Sequence, residues 1–139
     1  MENEVKTMEI PDIVGKTIIS IGGDNQYNDE LIFNFADGKT LTFFHDQECC
    51  ESVGIEDICG DINDLIGTPL LKAYWSTKEP TAEEQRSIYY DDCVLWTFYH
   101  FATIKGAVTI RWAGASNGYY GVQVDMRYKD VNGKLIWLK

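Results

Sequence analysis

Apolar and polar residues alternate with a period of two along much of the chain, in short runs broken by glycine and asparagine. That pattern predicts half-buried β-strands. The run ELIFNFADGKTLTFFHD, residues 30–46, is the plainest case. Leu31, Phe33 and Phe35 fall on one face of a first strand, and Leu41, Phe43 and His45 alternate on a second. Between them Asp37-Gly38 suits the positive-φ positions of a tight hairpin turn. Further strands are predicted in DIVGKTIISI, ESVGIEDI, LLKAYWST, CVLWTFYHFATI, AVTIRWAG, SNGYYGVQVDMRYK and KLIWLK. Both faces of CVLWTFYHFATI are apolar or aromatic, as expected near the centre of a sheet.

Two places break the alternation. In DINDLIG, Asp61 is placed to cap a short helix that Gly67 ends, with Pro69 just beyond. In TKEPTAEEQRSIYYDD, residues 77–92, Thr81 and Glu84 have capping-box spacing, so this stretch reads as a short helix or a long surface loop. The whole predicts a mainly β fold: an antiparallel sheet of about eight strands forming a sandwich, a bent sheet or a partly open barrel, with one or two short helices. A polar leader, residues 1–8, is expected to precede one domain over 9–139.

Composition supports a packed core. The chain has 139 residues, 45% of them hydrophobic and 13% aromatic, enough to bury roughly two-thirds of its unfolded surface. No run approaches the ~20 apolar residues that span a bilayer, and the acidic opening MENEVKTMEI is unlike a signal peptide. The expected location is cytoplasmic, with no membrane partner. Cys49, Cys50, Cys59 and Cys93 are expected as free thiols, because adjacent cysteines do not bridge without strain.

Charge is unevenly placed. Residues 1–100 hold 20 acids against 6 Lys/Arg, whereas 101–139 hold 2 against 6, for a total of −10. Between Thr40 and Leu71 lie seven carboxylates and no basic residue. Such a surface repels phosphate backbones, so no direct nucleic-acid binding is expected. The stretch reads either as a solvated acidic surface or as an imitation of nucleic acid that fits a basic cleft. Glu48, Glu51, Glu56 and Asp57 are its candidate contact residues.

Several motifs fail on spacing. Gly15-Lys16-Thr17 lacks the glycine five positions earlier that a phosphate loop needs, and a β-type run follows it. EDICGDINDLIG puts isoleucine where a calcium loop turns on glycine, leaving Asp57, Asp61 and Asp64 as opportunistic cation ligands at most. His45, Cys49, Cys50 and Cys59 are numerically sufficient for zinc, but no paired C-x-x-C supports it, and neighbours on a strand point to opposite faces. A nucleophilic cysteine with His45 or His100 as base is disfavoured by Asp46, Glu48 and Glu51, which oppose a thiolate. No catalytic residue, metal or cofactor is assigned. His100, in an aromatic strand, reads as structural.

Arg111 sits between Ile110 and Trp112, where it is either tied to a carboxylate of the acidic half or faces a groove and grips an anion. Trp112, Asn117, Tyr119 and Tyr120 make an aromatic turn suited to recognition.

At HDQECCESVGIEDICGDINDLIGTPLL and WTFYHFATIKGAVTIRWAGASNGYYGVQV the chain resembles a family of small proteins of uncharacterised function, encoded mainly by bacteriophages and prophages. His45, Cys49, Cys50, Glu51, Arg111, Ser116, Asn117, Gly118 and Tyr119 are the family-like positions. The resemblance implies no reaction or cofactor. It implies a context in which small phage accessory proteins bind and block a host component, including antiviral defence. The expected activity is therefore non-enzymatic binding of a host protein or a small signalling ligand in the host cytoplasm. The alternatives are a thiol- or metal-dependent enzyme centred on His45 and Cys49/Cys50, and a structural or assembly protein of the virion.

Overall fold

The computed structural model describes residues 6–10, 12–23, 30–87, 93–116 and 121–138. Among these residues ten strands lie in two five-stranded sheets: β1 Lys6–Glu9, β2 Ile18–Gly22, β3 Glu30–Phe35, β4 Thr40–Phe44, β5 Ser52–Cys59, β6 Lys72–Lys78, β7 Cys93–Thr103, β8 Gly106–Ser116, β9 Asp125–Lys129 and β10 Leu135–Leu138. The first sheet has the order β1-β6-β7-β8-β5 and the second β10-β9-β4-β3-β2. Every strand pairing is antiparallel. The mainly β expectation holds. Lys6–Met8, expected within a polar leader, instead form β1 together with Glu9, paired with β6.

Alternation sets the layers. Leu31, Phe33 and Phe35 of β3 and Leu41 and Phe43 of β4 are buried, as are Tyr99 and Phe101 of β7 and Val108, Ile110 and Trp112 of β8. These inner faces join in one core. Edge-to-face rings stitch the sheets together, with Phe33 5.0 Å from Phe101 and Phe43 4.7 Å from Tyr99 between centroids. The architecture is thus a sandwich.

Local signals end the elements where the residue types demand. Gly38 takes φ +88° in the β3–β4 turn, and the Phe35 amide donates to the Lys39 carbonyl. Asp61 caps a 3-10 turn, Ile62–Leu65, by accepting from the Asn63 amide, and Leu65 is buried. The helix α1, Ala82–Ser87, carries the reciprocal box: Thr81 N–H donates to Glu84 Oε1 at 2.8 Å, and Glu84 N–H to Thr81 Oγ1 at 3.1 Å.

Candidate functional site

Residues 45–51 connect β4 of one sheet to β5 of the other, and their polar groups converge on one carboxylate. The Glu51 side chain is fully shielded from solvent. It accepts from His45 Nε2 at 2.7 Å and from the amides of Glu48 at 2.8 Å and Cys49 at 2.9 Å. On the other side of the ring, His45 Nδ1 lies 2.7 Å from the Gln123 carbonyl, just ahead of β9. A carbonyl and a carboxylate both accept, so each ring nitrogen faces an acceptor. Gln47 Nε2 donates to the Glu51 carbonyl at 2.5 Å, closing the loop. Burial raises the Glu51 carboxyl, but the His45 bond and the backbone amides outweigh it and bring it down to about 2.

Glu51 is therefore a clasp between sheets and not a contact residue, which corrects its place among the binding candidates. A buried carboxylate loses too much hydration to go without partners, and here all its capacity is taken up internally. The His45 nitrogens are likewise committed, so neither is turned toward a thiol.

The adjacent cysteines follow the same loop. Cys49 and Cys50 lie at a bend, both exposed, and their sulfurs are bonded to each other. The expectation of free thiols is overturned here, since side chains in a bend are released from the strand rule that sends neighbours to opposite faces. Cys59 is free and exposed, at the far end of β5. Of the four donors weighed for zinc, His45, Cys49 and Cys50 thus lie in the loop ahead of β5 and Cys59 lies at its far end. Among the described residues no group of three or more His, Cys, Asp or Glu is placed to hold a metal ion.

β5 is an edge strand of its sheet, paired among the described residues with β8 alone. Asp46 and Glu48 lie exposed in the loop that leads into it, Glu56 and Asp57 lie within it, and Asp61 and Asp64 follow it. Glu56 and Asp57 thus lie on an edge strand roughly 26 Å long, from eight residues at ~3.3 Å each, with Asp46 and Glu48 ahead of it and Asp61 just beyond it, whereas Asp64 packs against Gly106 at the β7–β8 turn. The register slips between Ile55 and Asp57, so Glu56 is the extra residue of a β-bulge. Arg111 on β8 stands opposite Asp57, and its Nε lies 2.7 Å from Glu56 Oε1, with both side chains 40% exposed. Of the two accounts of Arg111, the carboxylate-tied one describes the structure. Beside this pair a cleft of about 280 Å³ runs along Ser52–Glu56, floored by Gly54 and Ala113.

Trp112 is fully buried in the core, so it does not belong to a recognition surface. Strand parity explains the correction: Arg111 and Trp112 are neighbours on β8 and point to opposite faces. Asn117, Tyr119 and Tyr120 lie outside the described residues. His100 stacks on Tyr74 at 4.6 Å, and its Nδ1 lies 3.2 Å from Thr109 Oγ1. Burial lowers its pKa from the ordinary histidine value. A smaller cleft of about 180 Å³ lies between Lys72, Tyr74, His100 and Thr109. Sequence reading missed Gln47, whose bonds are local, and Gln123 and Asp125, whose parts depend on long-range contacts: Asp125 Oδ2 accepts from the Asp46 amide at 3.1 Å.

Among the described residues no helix is long and apolar enough to cross a membrane. Searches of curated proteins and of solved structures gave no match. The sequence model of a domain of unknown function, DUF7448, matches residues 11–126, from ahead of β2 into β9, and the chain belongs to that family.

Proposed function

We propose that this protein acts by contact and not by chemistry, taking up a basic, extended segment of a partner protein along the β5 edge. One observation carries the reading: a strand edge with no neighbouring strand among the described residues, bordered by carboxylates at its start, middle and end. An edge strand offers a row of free backbone groups to an added strand, and flanking charge selects the partner. The cleft along Ser52–Glu56 gives room for alternate side chains of such a segment. Lysine or arginine side chains there meet Asp46, Glu48 and Asp57. The phage-type resemblance of the two sequence blocks supports a host protein as the partner, with the acids standing in for nucleic acid in a basic cleft and a counter-defence role. The same acids and bulge also guard an edge against aggregation, and the experiment separates the two readings.

The test uses a labelled peptide of alternating lysine and valine, read by fluorescence anisotropy. Binding is expected at 50 mM salt and weakens at least about tenfold at 200 mM. The variant E48K/E56K/D57K, checked for folding by circular dichroism, abolishes it, and an acidic peptide of the same pattern does not bind. Binding indifferent to both salt and charge reversal refutes the proposal, as does no binding at all.

A further inference from the structure

The bonded pair Cys49–Cys50 is used by nothing in the reading above. It is a covalent ring at the tip of the 45–51 loop, both residues exposed, on a segment whose order rests on a few internal hydrogen bonds. Two of those bonds involve Cys49 directly: its amide donates to Glu51 Oε1 at 2.9 Å, and its carbonyl accepts from Gln47 Nε2 at 3.3 Å. The Cys49 amide, one bond outside the ring, therefore ties it to the buried His45–Glu51 clasp.

We infer that Cys49–Cys50 is a thiol–disulfide exchange site, opened by a dithiol reductant and coupled through the Cys49 amide to the Glu51 clasp. One thiolate of the reductant attacks a ring sulfur, giving a mixed disulfide and releasing the other cysteine as a thiol. The reductant's second thiol then displaces the first cysteine. The reductant leaves as its own cyclic disulfide, and two electrons and two protons end on Cys49 and Cys50. A dithiol is the fitting class because its second thiol resolves the mixed disulfide before the adjacent cysteine recaptures it. The flanking Asp46 and Glu48 disfavour anionic monothiols such as glutathione by charge. Nothing in this inference depends on the peptide-binding reading.

The full chain is tested by differential alkylation. The tryptic segment Thr40–Lys72 holds Cys49, Cys50 and Cys59. Protein isolated without reductant is expected to give this segment one alkyl adduct, on Cys59, and dithiothreitol raises the number to three. Glutathione at equal thiol concentration opens the ring several-fold more slowly. Amide exchange of residues 46–51 accelerates on reduction, and C49S/C50S shows the fast exchange with no response to reductant. Three adducts before reduction overturn the site, as does a bond from Cys49 or Cys50 to any cysteine but its neighbour. Opening that leaves amide exchange unchanged overturns the coupling.

Discussion

His45 Nε2 and Glu51 Oε2 lie 2.7 Å apart with both side chains out of solvent, joining the end of β4 to the start of β5. The fold lowers the Glu51 carboxyl from 4.5 to about 2. Asp37 falls from 3.8 to about 2 through its hydrogen bond from Lys16, with burial opposing and Lys39 assisting. Because folding lowers both, the unfolded chain binds more protons, and stability present above about pH 5 is lost as the pH falls toward about 2. Urea midpoints measured across this range are expected to decline. The gap between the wild-type chain and E51Q narrows toward pH 2, and a constant gap contradicts the assignment.

The His45–Glu51 and Arg111–Glu56 pairs differ in worth because they differ in burial. H45A strands a carboxylate away from water, and its melting temperature is expected to fall on the order of 10 °C. R111A opens a pair whose members are 40% exposed, and the expected drop is under about 3 °C. Equal drops in thermal denaturation count against the clasp.

Gly114 on β8 faces Val122, and a Cβ there would stand 2.7 Å from the Val122 carbonyl oxygen and 2.7 Å from its Cβ. Backbone cannot retreat as a flexible side chain does. G114A is expected to cost roughly 1–3 kcal/mol in urea denaturation, with the segment ahead of β9 displaced from β8.

Core substitutions sort by what they leave behind. Phe33 is fully buried and meets Phe35, Phe43 and Phe101 edge-on, so F33A is expected to cost about 3–5 kcal/mol. Trp112 is as deeply buried, yet its Nε1 has no hydrogen-bond partner among the described residues. W112F removes an unsatisfied donor while leaving a small void, and the opposed effects are expected to keep the change under about 1 kcal/mol. Chemical denaturation of the two variants measures the contrast.

Local rules were legible in the sequence, and pairings between distant segments were not. The Asp37-Gly38 turn, the Asp61 cap and the Thr81–Glu84 box depend on neighbours within a few residues, so residue type alone places them. The parity of β8 was also available: Ile110 and Trp112 share a face that Arg111 does not. Grouping Trp112 with the aromatic turn overlooked it. By contrast, the register that sets β5 beside β8 joins Ser52 to Ala115, and no local pattern encodes it. Glu51 sits among acids that are exposed, and nothing in its neighbours marks it out. Its burial follows from where β4, β5 and β9 meet. β1 escaped notice because Lys6–Glu9 is short and half charged.

The β7–β8 ladder joins eleven residue pairs from Cys93↔Ser116 to Thr103↔Gly106 across a tight turn. Its loop-closure entropy is small, whereas β5 must search across about fifty residues of chain to find β8. The order of assembly is therefore expected to run outward from this hairpin, with the acidic edge docking last. Substitutions in β5 are then expected to speed unfolding and leave the refolding rate nearly unchanged, which stopped-flow kinetics of V53A can read. The edge offered to a partner is by the same logic the margin the chain completes latest.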